Sequence, residues 1–192
     1  MAADKPTRVL GIVGSPRRGG NTDIMVDHIL AGARDAGAKV EKVMLADLKI
    51  APCEACYECD TGGICVQDDD MKRVFERMAA SPVWVLGTPV YWWGPSAQMK
   101  AFVDRWFSKA PNRDDSGILV GKKVVLAIPL GDTDPATARH VVGMFEDALE
   151  YLNSEVVELV LAPGAYAIGD VKKQPELLKR ARAAGERAVL GK

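Results

Sequence analysis

The sequence predicts a single α/β domain in which a parallel sheet of five strands lies between two layers of helices. Short apolar segments alternate with longer helical segments five times along the chain, and the apolar segments are almost uninterrupted, as in strands that are buried on both faces. The length of 192 residues is sufficient for one domain with a full core. We therefore assign residues 1–192 to one domain.

The individual elements are assigned from apolar periodicity and from the residues at their ends. We place the strands at residues 8–14, 39–45, 83–88, 122–129 and 155–161, and the helices at residues 21–36, 68–80, 96–107, 135–152 and 174–190.

The sequence supports each element in turn. The first strand ends in a Gly-Ser-Pro turn, and the first helix has Asn21 or Thr22 as its N-cap and Gly37 at its end. Three aspartates at 68–70 are expected to open the second helix, because the helix dipole favours carboxylates there. The remaining strands are apolar runs, and the last helix is rich in Lys and Arg, as expected of a face exposed to solvent.

The alternation of strands and helices restricts the topology. Right-handed crossovers between parallel strands favour the flavodoxin-like strand order 2-1-3-4-5, with a Rossmann-type order as the alternative. In both, ligands bind beyond the carboxyl ends of the strands. The loops after the first, third and fourth strands are therefore candidate ligand loops, and the loop after the second strand contains all four cysteines of the chain.

The loop after the first strand has the features of an anion site. It contains Ser15, Arg17 and Arg18, two glycines at 19 and 20, and then Asn21-Thr22 at the start of a helix. Helix N-termini offer unpaired N–H groups and a positive dipole end, which together bind phosphate. The loop lacks the Gly-Lys-Ser/Thr of a Walker A motif and the glycine spacing of a dinucleotide fingerprint.

The loop after the third strand is aromatic and stiff. It reads Thr88-Pro-Val-Tyr-Trp-Trp-Gly-Pro-Ser96, and it places Tyr91, Trp92 and Trp93 at the carboxyl end of a strand. Aromatic residues at such a position usually face a ligand or a partner. A phosphate loop beside a rigid aromatic loop indicates a mononucleotide with a flat ring system.

Three segments of the chain resemble one known family. Gly14-Ser-Pro-Arg with Asn21-Thr22, Thr88-Pro-Val-Tyr-Trp, and Met99-Lys-Ala-Phe-Val-Asp-Arg105 are similar to motifs of the NAD(P)H-dependent FMN reductase group of flavodoxin-like proteins. The resemblance covers roughly residues 8–165. It implies FMN-binding residues at Ser15, Arg17, Asn21 and Thr22 for the phosphate, and at Pro89, Val90, Tyr91, Trp92, Gly94 and Gly131 for the ring. Asp132 and Asp134 depart from the family pattern, because they add negative charge near the proposed ring.

The cysteines have the spacing Cys53-x2-Cys56-x2-Cys59-x5-Cys65. Compact runs with x2 spacing are typical of cubane iron–sulfur ligation, whereas zinc usually takes two separated pairs. Redox-active or incidental thiols and a zinc site remain alternatives. The cysteine loop, residues 51–66, also resembles the iron–sulfur flavoprotein branch of the same group, and this implies a 4Fe–4S cluster that exchanges electrons with FMN.

Composition excludes several other functions. The formal net charge of −1 argues against a nucleic-acid-binding surface and against a strongly acidic carrier protein. Without a secretory signal or a membrane-spanning run, we expect a cytoplasmic protein.

The Asp104-Arg105 pair is assigned to a structural ion pair or a partner contact.

The resemblance implies an FMN-dependent oxidoreductase with no separate catalytic side chain, because the flavin carries the chemistry. Electrons would come from NAD(P)H or ferredoxin and pass through FMN and a 4Fe–4S cluster to a small acceptor. We expect a homodimer or homotetramer, with Trp92 and Trp93 at its interface. The alternatives are a cluster-free NAD(P)H-dependent FMN or quinone reductase and a non-enzymatic flavin-binding carrier or regulatory module.

Overall fold

The computed structural model describes residues 6–113 and 116–191. Its strands are β1 (Arg8–Val13), β2 (Lys39–Met44), β3 (Val83–Gly87), β4 (Lys123–Pro129) and β5 (Glu155–Ala162). Its α-helices are α1 (Asn21–Asp35), α2 (Met71–Ala79), α3 (Ala97–Asp104), α4 (Arg139–Tyr151) and α5 (Pro175–Leu190). Every predicted strand and helix is present, so the α/β prediction is confirmed.

All four pairings in the sheet are parallel, and the strand order is β2-β1-β3-β4-β5. This is the flavodoxin-like order that the sequence predicts, and the Rossmann-type alternative is excluded. The central strands β1, β3 and β4 are buried almost throughout, because helices cover both faces of the sheet. No helix within the described residues is long and apolar enough to span a membrane.

The core has one part on each side of the sheet. One cluster joins Leu10, Trp84 and Leu126 of the sheet to apolar residues of α2, α3 and α4. The other joins the opposite face of the sheet to α1 and α5. The result is a three-layer sandwich in which the loops at the carboxyl edge of the sheet are held from both sides.

Helices α1 and α5 cross with backbone contact at two glycines. A Cβ atom built on Gly185 would lie 1.9 Å from the carbonyl oxygen of Ile29, and one built on Gly32 would lie 1.8 Å from that of Arg182. No side chain fits at either position without separation of the helices. The crossing fixes α1, and with it the loop that precedes α1.

Several predicted ends differ from the observed ones. Helix α1 follows Gly20 and has no side-chain cap, so the prediction of Asn21 or Thr22 as N-cap is wrong. Helix α2 begins at Met71, and the aspartates that are predicted to form its first turn precede it. Asp69 accepts from the N–H of Met71, and Asp70 accepts from the N–H of Lys49. Helix α3 changes to a 3₁₀ helix at Arg105–Lys109, and α4 is preceded by another at Pro135–Ala138.

Candidate functional site

Loops from four strands surround one cavity of about 540 Å³ at the carboxyl edge of the sheet. Eight of the ten residues predicted for flavin binding line it: Ser15, Arg17, Asn21, Thr22, Pro89, Val90, Tyr91 and Gly131. The cavity lies where the strand order reverses on either side of β1, which is where doubly wound sheets bind ligands. Its size suits a mononucleotide-sized ligand.

The polar end of this cavity is built by the loop between β1 and α1. The N-terminus of α1 has no side-chain cap, so the first N–H groups of the helix remain available to a ligand. The hydroxyl of Ser15 accepts from the N–H of Arg17 at 3.2 Å, and among the described residues its own proton has no acceptor, so it can donate to a ligand. Arg18 is turned away into an ion pair with Asp47, which leaves Arg17 as the cation of the loop that lines the cavity.

Asn21 has a role that the sequence does not indicate. Its side-chain amide donates to the carbonyl oxygens of Ala165 and Ala167 at 3.0 and 2.8 Å, and its Oδ1 accepts from the N–H of Val171 at 3.3 Å. Both amide protons are therefore in use. Asn21 lines the cavity, but its side chain holds the loop after β5 and offers no free donor to a phosphate.

The loop after β3 is fixed to the loop after β1 by Ser96. Ser96 is fully buried, and its hydroxyl donates to the carbonyl of Gly14 at 2.6 Å while accepting from the N–H of Met99 as the N-cap of α3. The N–H of Ser96 in turn donates to the hydroxyl of Thr88 at 3.0 Å. One buried side chain thus connects both ligand loops to the start of a helix.

Trp92 and Trp93 form the tip of a tight turn. The N–H and carbonyl groups of Tyr91 and Gly94 are hydrogen-bonded to each other at 2.8 and 3.0 Å, and the two tryptophans between them have φ values of 49° and 59°. Turns of this kind favour Asn and Gly, so two tryptophans here cost of the order of 1–3 kcal/mol each. Trp92 is 91% exposed.

Two residues of this turn that are predicted to contact the flavin ring lie outside the lining of the main cavity. Trp92 and Gly94 do not line the main cavity; Trp92 and Trp93 instead border an adjoining open pocket with Val90, Asp132 and Thr137. Trp92 and Trp93, which are predicted to lie at a subunit interface, are exposed in the single chain. Asp132 and Asp134 are engaged locally: Asp132 accepts from the N–H of Asp134 and from the Thr137 hydroxyl, which hold the pKa of Asp132 below its usual range, and Asp134 caps the next 3₁₀ helix.

A fourth loop completes the cavity, and the sequence prediction omits it. Residues 165–168, after β5, line the cavity, and the ring of Tyr166 lies against Gly131, where a Cβ atom would be only 3.0 Å from it. The sequence feature that could have indicated this loop is the Pro163-Gly164 turn, which follows a strand of the same sheet. This loop carries exposed apolar side chains, Tyr166 and Ile168, at the mouth of the cavity.

The four cysteines border a second, much smaller pocket of about 20 Å³. Cys59 is buried, which raises the pKa of its thiol, whereas Cys53 and Cys56 are exposed. Ala55, between Cys53 and Cys56, and Tyr57, between Cys56 and Cys59, have left-handed φ values of 52° and 60°. These values are strained for residues other than glycine. The sequence predicts that the four thiols converge on one cluster; all four border this pocket, but among the described residues they are not placed to hold one metal ion.

Arg105 is buried and lines the cysteine pocket. Its guanidinium donates to both carboxylate oxygens of Asp69, to the carbonyl of Ala51 and, at 3.4 Å, to the Sγ of Cys65. Burial raises the pKa of the Asp69 carboxyl, but hydrogen bonds from Arg105 and from the N–H groups of Ala51 and Met71 outweigh this effect and lower it. Arg105 therefore pairs with Asp69 and not with its neighbour Asp104, which pairs with Lys100.

The donor set of the pocket is compatible with an iron–sulfur cluster in its chemistry, whereas the described positions of the thiols are not those of ligands to one metal ion. Across residues 6–113 and 116–191, no group of three or more His, Cys, Asp or Glu side chains is placed to hold one metal ion. Two polar atoms next to the thiols, Arg105 Nε and Gln67 Oε1, are buried without a partner in the described part of the chain. By their chemistry, four thiols and an unused N–H donor suit a sulfur-rich group.

Comparison with known proteins agrees with this geometry. Residues 7–169 match the family model described as NADPH-dependent FMN reductase. An iron–sulfur flavoprotein of Archaeoglobus fulgidus is 33% identical over 162 residues, which cover 84% of this chain and 68% of the relative. An iron–sulfur flavoprotein of Methanosarcina thermophila is 37% identical over 98 residues, and the aligned part covers 51% of each chain.

Solved structures share the fold at low sequence identity. An NAD(P)H:quinone oxidoreductase from Methanothermobacter marburgensis superposes with a TM-score of 0.74 and 18% identity over 95% of this chain and 96% of its own. At this identity the similarity establishes the fold alone.

Proposed function

The chain belongs to the NADPH-dependent FMN reductase family, and we propose that it passes electrons from NAD(P)H or ferredoxin through FMN and a 4Fe–4S cluster to a small acceptor. As a member of this family it is an FMN-dependent oxidoreductase, so the enzyme is favoured over a non-enzymatic flavin-binding module. The donor, the acceptor and the cluster are parts of the proposal.

The observation that carries the flavin part is the shape and polarity of the main cavity. Ser15, Arg17 and the free N–H groups of α1 form a polar end that suits the phosphate of FMN. Pro89, Val90 and Tyr91 form a rigid wall for the edge of the ring, and Gly131 of the neighbouring loop also lines the cavity. Asn21 is reassigned to positioning the loop after β5.

Flavin supplies the redox chemistry when it is bound, and the protein positions it. The residues that do so in this chain are the donors around the phosphate end, the Ser96 connection between the ligand loops, and the Tyr166 side of the cavity. The adjoining pocket beside Trp92 and Asp132 lies open to solvent and suits a planar acceptor.

The cluster is supported by the cysteine spacing and by the meeting of all four thiols at one pocket. Cys53, Cys56, Cys59 and Cys65 are the proposed ligands. The relatives named iron–sulfur flavoprotein agree with this assignment. The second candidate function is a cluster-free FMN or quinone reductase, which the small volume of the pocket favours.

The visible spectrum and the iron and sulfide content of anaerobically purified protein distinguish the two candidate functions. The expected result is a flavin spectrum together with about four iron and four sulfide per chain in the wild type. The Cys56→Ser variant is the matched control, because it should lose iron and keep flavin. Flavin without iron, even after reconstitution, would establish the cluster-free reductase, and the absence of flavin would refute the proposal as a whole.

Assembly into a homodimer or homotetramer is also proposed. It is supported by the exposed rings of Trp92 and Trp93, which occupy a strained turn in the single chain. Light scattering of the wild type and of Trp92→Ser should show a larger species in the first and a smaller one in the second. A monomeric wild type would contradict the assignment.

A further inference from the structure

Arg105 is the most deeply buried cation beside the cysteine loop. It lies at the first position of the 3₁₀ helix that follows α3, and it is 3% exposed. A buried guanidinium requires partners for its charge and for its N–H groups, since an unpaired buried charge is strongly unfavourable. The identity of those partners shows what the position does.

Two of the partners have a structural role. Asp69 follows the cysteine loop and Ala51 begins it, and Arg105 binds both, to the carboxylate at 2.5 Å and to the carbonyl at 3.0 Å. The N–H of Ala51 also donates to Asp69 at 3.1 Å, so the three residues close the base of the loop. This network alone would neutralise the guanidinium.

The remaining N–H groups of Arg105 are not explained by loop closure. Nη2 donates to the Sγ of Cys65 at 3.4 Å, and Nε is buried with no acceptor among the residues that the structure describes. Arg105 and all four cysteines line the same pocket. The guanidinium therefore presents a cation and at least one N–H donor to the sulfur atoms.

We propose that Arg105 positions the Cys65 sulfur by its N–H···S hydrogen bond and raises the reduction potential of the cluster that the four cysteines bind. The inference rests on the cluster of the proposed function. N–H···S bonds and nearby positive charge stabilise the reduced cluster more than the oxidised one, because the reduced cluster carries one more electron and is more negative. Arg105 is thus a positioning residue and does not ligate iron itself.

The test compares Arg105→Gln and Arg105→Lys with Asp69→Asn in anaerobically purified, iron-loaded protein. The measurement is the midpoint potential of the one-electron cluster couple, followed by electron paramagnetic resonance. Arg105→Gln is expected to make reduction on the order of tenfold less favourable, which corresponds to about 59 mV for one electron. Arg105→Lys should give an intermediate shift, because it keeps the charge and loses the planar fork.

Asp69→Asn is the control for loop closure, because it breaks the same ion pair and leaves the donors to Cys65 in place. Removal of the carboxylate should leave the potential unchanged or raise it, opposite in sign to the effect of Arg105→Gln. If both variants lowered the potential equally, the role of Arg105 would be purely structural and the inference would be wrong.

A measurement on the wild type avoids any dependence on the folding of variants. Protein labelled with ¹⁵N only in arginine should show a ¹⁵N hyperfine coupling in pulsed resonance spectra of the reduced cluster, since Arg105 is the arginine that lines the pocket. An iron-loaded wild type without this coupling would refute the inference and leave the proposed function intact. A wild type that cannot bind iron would overturn both.

Discussion

Replacement of Asn21 by alanine distinguishes a residue that holds a loop from one that binds phosphate. The side chain makes three hydrogen bonds to the backbone of residues 165–171, at 2.8, 3.0 and 3.3 Å. With a net contribution of about 0.5–1.5 kcal/mol each, and the longest bond at the low end, the loss should be about 2 kcal/mol. Asn21→Ala should therefore loosen one wall of the cavity without removing any contact to a phosphate.

The assay compares two ligands that differ only in the phosphate. FMN and riboflavin are titrated into the flavin-free protein, and the quenching of flavin fluorescence gives the two dissociation constants. If ordering the loop in the variant costs about 2 kcal/mol of the binding free energy, both dissociation constants rise by the same factor, at most about thirtyfold. Urea unfolding of the flavin-free variant should show the same loss of about 2 kcal/mol.

Arg17→Gln is the matched control, because Arg17 lines the cavity and makes no hydrogen bond to the loop after β5. It should weaken FMN by about tenfold, as expected for a charge-assisted contact, and leave riboflavin unchanged. If Asn21→Ala weakened FMN far more than riboflavin, Asn21 would be a phosphate ligand and the loop-holding role would be refuted.

Four further outcomes follow from the structure, each measured by urea unfolding. Ser96→Ala should cost about 2–3 kcal/mol, since it removes the cap of α3 and leaves a buried carbonyl without its donor; a loss below about 0.5 kcal/mol would contradict this. Gly185→Ala should cost more than about 3 kcal/mol because its Cβ meets backbone, whereas Gly143→Ala in α4, with open space around it, should stabilise by up to about 1 kcal/mol. Trp92→Gly should stabilise the monomeric chain by about 1 kcal/mol, and a loss would mean that its ring has packing partners. Asp69 has a lowered folded pKa, so its stabilisation is complete above the unfolded value and is lost as the pH falls through the folded value; Asp69→Asn should lack this acidic loss.

The secondary structure could be predicted from the sequence because its signals are local. The apolar runs of the strands and the helical spacing between them are each set by a few neighbouring residues, and the strand order follows from right-handed crossovers. The prediction of helix ends is less accurate. The N-cap of α1 is Gly20, which has no side chain to act as a cap, and Asp23 in the first turn accepts from the N–H of Gly19 at 2.8 Å.

Site residues were predictable to the extent that they lie in loops adjacent to strand ends. The side chain of Asn21 is suited by type to bind phosphate, yet its partners lie 144 to 150 residues further along the chain. Arg105 has an acidic neighbour in sequence, yet it pairs with Asp69, 36 residues away. Pairing of this kind depends on how the loops meet in space, and the sequence contains no periodic signal for it.

Helix α3 connects the two proposed centres, and this decides how they can influence each other. Its N-cap, Ser96, holds the loops of the flavin cavity, and the residue that follows its last turn, Arg105, holds the base of the cysteine loop. At 1.5 Å per residue, nine residues place these positions about 14 Å apart along the axis. Met99 and Phe102, between them, are fully buried in the core, so the separation is set by a rigid element and not by a loop. A change at Ser96 should therefore reach the cysteine loop only through displacement of the whole helix, whereas a change at Arg105 acts on the sulfur atoms directly.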